Sequence, residues 1–308
     1  MTPKKKRPDN IYAPYYWPTW CGLGIMWVSS LLPYSVTARS GRFLGWILFK
    51  LHRSRRRIAY INIRTCFTDK TDQECLTLTS EHFSQVGQSF MTTGFNWYAS
   101  RKRILAVFKI KGIHHLNKQL ANGKNIILLA PHFVALEIGG IMLANDYPSV
   151  SMYQFVKNAR MDRAIKNGRC RFGMELVERR APLRQLIKAI RSGKAFYYLP
   201  DQDPGPRAGI FVPFFNIQTY TYPMLSRFAQ LGKAVVLPCV TKQLDGCKGY
   251  EMTIREPLVN FPSSDETVDT TVMNQAIEKE IVDMPSQYLW IHKRFKTRPE
   301  GSPDFYSS

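Results

Sequence analysis

The chain changes its hydrophobic rhythm near residue 111. Over 72–109, Leu76, Phe83, Val86 and Phe90 recur at mixed three- and four-residue spacing, the period of an amphipathic helix. After Lys111-Gly112, short apolar runs alternate with helical stretches. Strands are predicted over 125–130, 149–155, 195–199, 234–240 and 250–254. Helices are predicted over 133–145, 161–171, 182–192, 222–231 and 268–284. This alternation predicts an α/β fold, with a mixed central sheet flanked by helices on both faces. No internal repeat, low-complexity tract or long linker interrupts it.

The first third follows another pattern. A basic tail, 1–10, carries Lys4-Lys5-Lys6-Arg7. An uncharged stretch rich in Tyr, Trp and Leu follows and predicts a hydrophobic membrane anchor over 11–38, although Pro14, Pro18 and Pro33 interrupt it. Residues 39–110 form a basic, amphipathic helical region, and 111–308 the α/β domain. No Asp or Glu occurs between Asp9 and Asp69, an interval holding Arg39, Arg42, Lys50, Arg53, Arg55, Arg56, Arg57 and Arg64. Trp17, Trp20, Trp27 and Trp46 add interfacial aromatics. The same pattern suits a buried hydrophobic hairpin. So many tryptophans beside unpaired basic charge favour an anchor entering from the cytoplasmic side onto anionic headgroups.

Composition narrows the class. With 308 residues, 44% of them hydrophobic, the chain can bury a sizeable core. A net charge of +20 calls for polyanionic partners: nucleic acid, anionic lipid or an acidic protein. Six scattered cysteines with no Cys-x-x-Cys pair argue against a zinc site or a disulfide framework. There is no Gly-x-Ser-x-Gly elbow and no phosphate-binding Gly-x-x-x-x-Gly-Lys-Ser/Thr loop. His114-His115 cannot share a helix face, and no nearby ligand set completes a metal site.

Candidate chemistry gathers where strands end. The apolar run at 125–130 delivers His132 to its carboxyl end, where ligands collect in α/β sheets. Glu137 follows five residues on. A histidine there can take a proton from a hydroxyl while a carboxylate fixes its tautomer. On one continuous helix the two would point about 140° apart, so pairing requires a bend between them. Spacing alone leaves open that Glu137 faces solvent.

Asn158 and Arg169 belong to a basic, glycine-bounded unit able to fork onto phosphate or a polarised carbonyl, or to form a solvated face. The turn-dense loop 199–207 can present Asp203 and Arg207. The aromatic run with Phe214 and Phe215 suits the wall of a hydrocarbon slot or a plain core segment.

In order along the chain stand the Trp-rich segment, Arg55-Arg56-Arg57 with Asn62 and Cys66-Phe67, Pro131-His132 through Glu137, and Gly168-Arg169. Asp201-Gln202-Asp203, Val212-Pro213-Phe214-Phe215 and the closing segment 288–299 complete the series. This succession resembles the bacterial lipid A biosynthesis acyltransferases, the late lauroyl and myristoyl transferases, over nearly the whole chain. The resemblance implies a glycerolipid-acyltransferase-like fold and a His-x-x-x-x-acid site, with His132 as general base and Glu137 as its orienting partner. It implies an inner-membrane enzyme moving a fatty acyl group from acyl carrier protein to a hydroxyl of a Kdo-bearing lipid A precursor. No metal, other cofactor or nucleic acid is called for. Arg169 is expected to assist as oxyanion donor or phosphate clamp. Gln154-Phe155, Ala159 and Asn216 depart from the family pattern and bear on contacts to the acceptor headgroup.

Overall fold

The computed structural model describes residues 10–205 and 208–307. The basic tail through Asp9 and Arg207 lie outside them. Helices come first: α1 (Trp17–Leu31), α2 (Tyr34–Leu51), α3 (Arg53–Cys66), α4 (Asp72–Tyr98) and α5 (Arg101–Leu105). Alternation follows with β1 (Phe108–Lys111), α6 (Ile113–Ala121), β2 (Asn125–Leu129), α7 (Leu136–Asp146), β3 (Ser149–Tyr153), α8 (Ala159–Arg169) and β4 (Glu175–Glu178). It continues with α9 (Leu183–Arg191), β5 (Ala195–Tyr198), β6 (Ile210–Phe214), β7 (Ile217–Thr221), α10 (Met224–Gly232), β8 (Ala234–Gln243), β9 (Tyr250–Ile254) and α11 (Glu266–Asp283).

Seven strands form one sheet in the order β1-β9-β8-β2-β5-β3-β4. The five from β8 to β4 are mutually parallel, and β9 runs antiparallel to β8, so the sheet is mixed. Apolar side chains alternate between two cores. Ile127, Leu129, Phe196, Tyr198 and Val236 pack with Leu186, Phe228 and Ile277 of α9, α10 and α11. Ile126, Leu128, Tyr197 and Leu237 pack on the other face with Ile138, Ile141 and Met142 of α7. Burial on both faces is why these strands read as continuous apolar runs.

α4 braces the sandwich. It opens on a capping box of Thr71 and Glu74, and it buries Cys75 and Phe83 in one core and Phe95 in the other. α2 lies against it at backbone contact: a Cβ on Gly45 would overlap the Phe83 carbonyl, and one on Gly87 the Gly41 carbonyl. These glycines are fixed by close approach.

The N-terminal anchor expected over 11–38 is not there. Among the described residues no helix is long and apolar enough to cross a membrane. α1 has 15 residues, about 22 Å against a hydrocarbon core of about 30 Å. Its C-terminal carbonyls are held by the protein, with Arg103 donating to Ser30, Leu31 and Leu32. The next helix, α2, carries Arg39, Arg42 and Lys50. The segment instead forms a surface layer over α4, leaving Trp17, Ile25, Trp27 and Val28 exposed.

β6 and β7 form a separate hairpin. Phe215 and Asn216 turn it with φ of 48° and 61°, the backbone of a primed two-residue turn. Asn216 tolerates that region better than most residues.

Candidate active site

β2 ends at Leu129, and Pro131 breaks the strand direction so that His132 stands at the carboxyl edge of the sheet before α7 begins. β5 lies beside β2, with Leu129 opposite Tyr198, and it carries Asp201 to the same edge. His132 Nδ1 lies 2.7 Å from Asp201 Oδ1, and the His132 backbone N–H donates to Oδ2 at 2.9 Å. Asp201 is 1% exposed. Burial pushes its carboxyl up, but the adjacent His132 and the hydrogen bonds outweigh this and hold it below the usual carboxylate range. An ionised Asp201 accepts only, so the tautomer of the neutral ring that fits it has the proton on Nδ1 and the lone pair on Nε2. His292 lies behind the pair, its pKa lowered by burial and then by His132.

Glu137 is engaged elsewhere. Arg169 donates to it from Nε at 3.1 and 3.0 Å and from Nη2 at 2.8 Å, and Trp97 Nε1 donates at 3.1 Å. The helix that starts at Leu136 turns Glu137 toward α8 and α4, so the carboxylate bonded to His132 is Asp201, not Glu137. Burial works against the Arg169 charge, but Glu137 more than offsets it and raises the guanidinium pKa. Gly168 permits this arrangement, because a Cβ there would overlap the Trp97 ring. Arg171 caps the end of α4 through the Asn96 and Ala99 carbonyls at 2.8 and 2.6 Å.

His132, Glu137 and Arg169 open onto one cavity of about 720 Å³ between α4, α7, α8 and the sheet. Its walls come from one stripe of each helix: Val86, Phe90, Thr93 and Trp97 on α4; Glu137, Gly140 and Ile141 on α7; Met161, Ile165 and Arg169 on α8. Asp203 lies at its mouth, where it also accepts from the Thr297 N–H at 2.7 Å and hydroxyl at 3.0 Å, tying the loop to the closing segment. Arg179 and Tyr222 share that mouth.

Three expected binding residues, Asn158, Phe214 and Phe215, lie outside the lining of this cavity. Asn158 N-caps α8, accepting from the Met161 N–H at 3.0 Å, and donates to Thr19 Oγ1 at 2.8 Å. Phe214 is buried in the opposite core, and Phe215 packs on Phe67, so neither walls the cavity. Phe214 lies against the Tyr288 and Phe295 rings. Asp201 and Trp97 received no role from sequence. A carboxylate just past the apolar run 195–199 was the available signal for Asp201.

The closing segment is stitched to α3. Asn62 Nδ2 donates to the Trp290 and His292 carbonyls at 2.7 Å each, and its Oδ1 accepts from the Tyr306 hydroxyl. Leu289 N–H donates to the His132 carbonyl at 2.9 Å, so this stitch also holds the sheet edge that carries His132.

Comparison with known proteins follows the same lines. The family profile of bacterial lipid A biosynthesis acyltransferases matches residues 4–297. A lipid A biosynthesis lauroyltransferase of Escherichia coli is 33% identical, covering 99% of this chain and 100% of that protein. A palmitoleoyltransferase and a myristoyltransferase of lipid A biosynthesis from the same organism are 32% and 30% identical, covering 99% and 94% of the chain and 100% and 90% of their own lengths. With matches of this extent, the chain is an acyltransferase and belongs to the bacterial lipid A biosynthesis acyltransferase family.

Proposed function

We propose that this enzyme transfers a fatty acyl group from acyl carrier protein to a hydroxyl of a Kdo-bearing lipid A precursor, with His132 as general base. The observation that carries the reading is the His132–Asp201 pair opening onto a deep cavity lined largely by apolar side chains. The acceptor hydroxyl gives its proton to Nε2 as its oxygen attacks the thioester carbon. Asp201 holds the ring and balances the imidazolium that forms. The carbonyl oxygen gains negative charge, the C–S bond then breaks, and the imidazolium returns the proton to the departing thiolate. Arg169, held by Glu137, which also accepts from Trp97, is a cation on the wall available to that oxyanion or to a phosphate of the acceptor.

The surface suits an enzyme that works at the cytoplasmic face of the inner membrane. Trp17, Ile25, Trp27, Phe43 and Phe90 are each more than half exposed, with Arg39, Arg42, Lys50 and Arg53 exposed on the same helical layer. Such a layer rests on anionic headgroups without crossing them. The basic excess also favours an acidic carrier protein and a phosphorylated acceptor.

The test is a product assay by mass spectrometry, pairing acyl carrier protein or coenzyme A thioesters with Kdo-bearing or Kdo-free precursors. Transfer from the carrier protein to the Kdo-bearing precursor is expected. Transfer only from coenzyme A, or only to another glycolipid, would refute the donor or the acceptor.

A further inference from the structure

We infer that Gly140, with Met174 and Tyr197, forms the floor of the cavity and sets the length of acyl chain the enzyme accepts; this rests on the proposed reading of the cavity as the donor's acyl slot. Strand register gives the depth. Ser151 pairs with Leu176 and with Tyr197, which puts these three lining residues at one level across β3, β4 and β5. Tyr153 lies two residues nearer the catalytic edge on the same face of β3. Met174 lies just before β4, two residues ahead of Leu176 and so on the side away from that edge. On α7, Gly140 lies three residues beyond Glu137, about 4.5 Å further from that edge.

Gly140 needs an explanation that packing does not give. A glycine inside a helix destabilises it relative to alanine, and α7 carries two in succession. Its neighbour Gly139 is required by the protein, since a Cβ there would overlap the Thr241 hydroxyl. Gly140 is not. A Cβ at 140 would lie 3.3 Å from the Tyr197 ring and 3.7 Å from the Met174 methyl, which a shift of a few tenths of an ångström accommodates. The space it leaves open belongs to the cavity. Tyr197 can yield by those few tenths of an ångström but cannot swing away to enlarge it: the ring is buried and its hydroxyl donates to the Leu136 carbonyl at 3.2 Å. Met174, buried and unbranched, is the one floor element whose truncation deepens the slot.

The experiment measures kcat/KM of the full chain for decanoyl, lauroyl, myristoyl and palmitoyl donors at one fixed acceptor. Gly140→Ala should lower the ratio of longer to shorter donors by at least about fourfold, the discrimination of one buried methylene. Met174→Ala should raise that ratio by a similar factor. Because each ratio is taken within one sample, loss of folded protein does not mimic it. Unchanged ratios in both variants would overturn the floor while leaving acyl transfer standing. A shift that follows the chain length of the acceptor, and not of the donor, would also overturn it. No transfer by wild type from any donor would overturn the donor reading and the floor with it.

Discussion

Asp201→Asn separates the two candidate partners of His132 with one near-isosteric change. Asp201 makes two bonds to the same residue, 2.7 Å to the ring and 2.9 Å to the backbone N–H. An asparagine has one acceptor oxygen and one amide group to offer. If the oxygen keeps the backbone N–H, the amide faces Nδ1, which must then accept. The ring proton moves to Nε2, and the lone pair that the proposed mechanism uses there is lost. If the amide flips, two donors face each other in a buried site, at a cost of about 1–3 kcal/mol. Both outcomes remove the working arrangement. The expected loss in kcat/KM is about 10²–10⁴-fold, equivalent to roughly 3–5 kcal/mol of transition-state stabilisation. The assay is initial-rate acyl transfer, with circular dichroism and thermal melting to establish that the variant is folded. Activity within about threefold of wild type, in a protein where His132→Ala is inactive, would refute Asp201 as the orienting group.

Further predictions follow from the helical frame and the second ion pair. Glu137→Gln and Arg169→Lys each lower kcat/KM, but the double variant is better than the product of the two losses by about tenfold, because either change alone undoes the fork; independent effects in the cycle would contradict this. Gly45→Val, driven into the Phe83 carbonyl, costs roughly 1–3 kcal/mol in denaturant unfolding, whereas Gly22→Ala, with nothing within 4 Å, costs nothing and gains up to about 1 kcal/mol. His82 is fully buried with its pKa pushed down to about 4 by desolvation, so the unfolded chain binds the proton first as pH falls below about 6.5. Stability should therefore drop by about 3 kcal/mol between pH 6.5 and 4, and His82→Phe should flatten that window in pH-dependent melts.

What could be read from sequence depended on the length of each pattern. The runs that became β2, β3, β5 and most of β8 were legible because strands buried on both faces need stretches without charge, while β9 was legible despite Glu251 through its remaining large and β-branched residues. β1 and β4 were not. Each has four residues, and Phe-Lys-Ile-Lys or Glu-Leu-Val-Glu carries too little period to separate from a neighbouring helix. The β6–β7 hairpin was hidden by Pro213, which a two-stranded ribbon accommodates on its edge. The hydrophobic stretch before α2 looked like an anchor because composition does not reveal where a helix stops or which carbonyls the protein caps.

At the site, His132, Glu137, Arg169 and Asp203 all line the cavity. The pairing among them was not legible. His132 and Glu137 are five residues apart, while His132 and Asp201 are 69 apart and meet only because β2 and β5 are neighbours. Local spacing favours the near carboxylate, and sheet order favours the far one.

The most direct measurement compares wild type with His132→Ala, both folded, with the acyl carrier protein thioester and the Kdo-bearing precursor, reading products by mass. The account predicts one new acyl mass on the precursor with wild type and a loss of at least about a hundredfold in the variant. Equal rates from the two proteins would contradict His132 as the base, and with it the chemistry assigned to the His132–Asp201 pair.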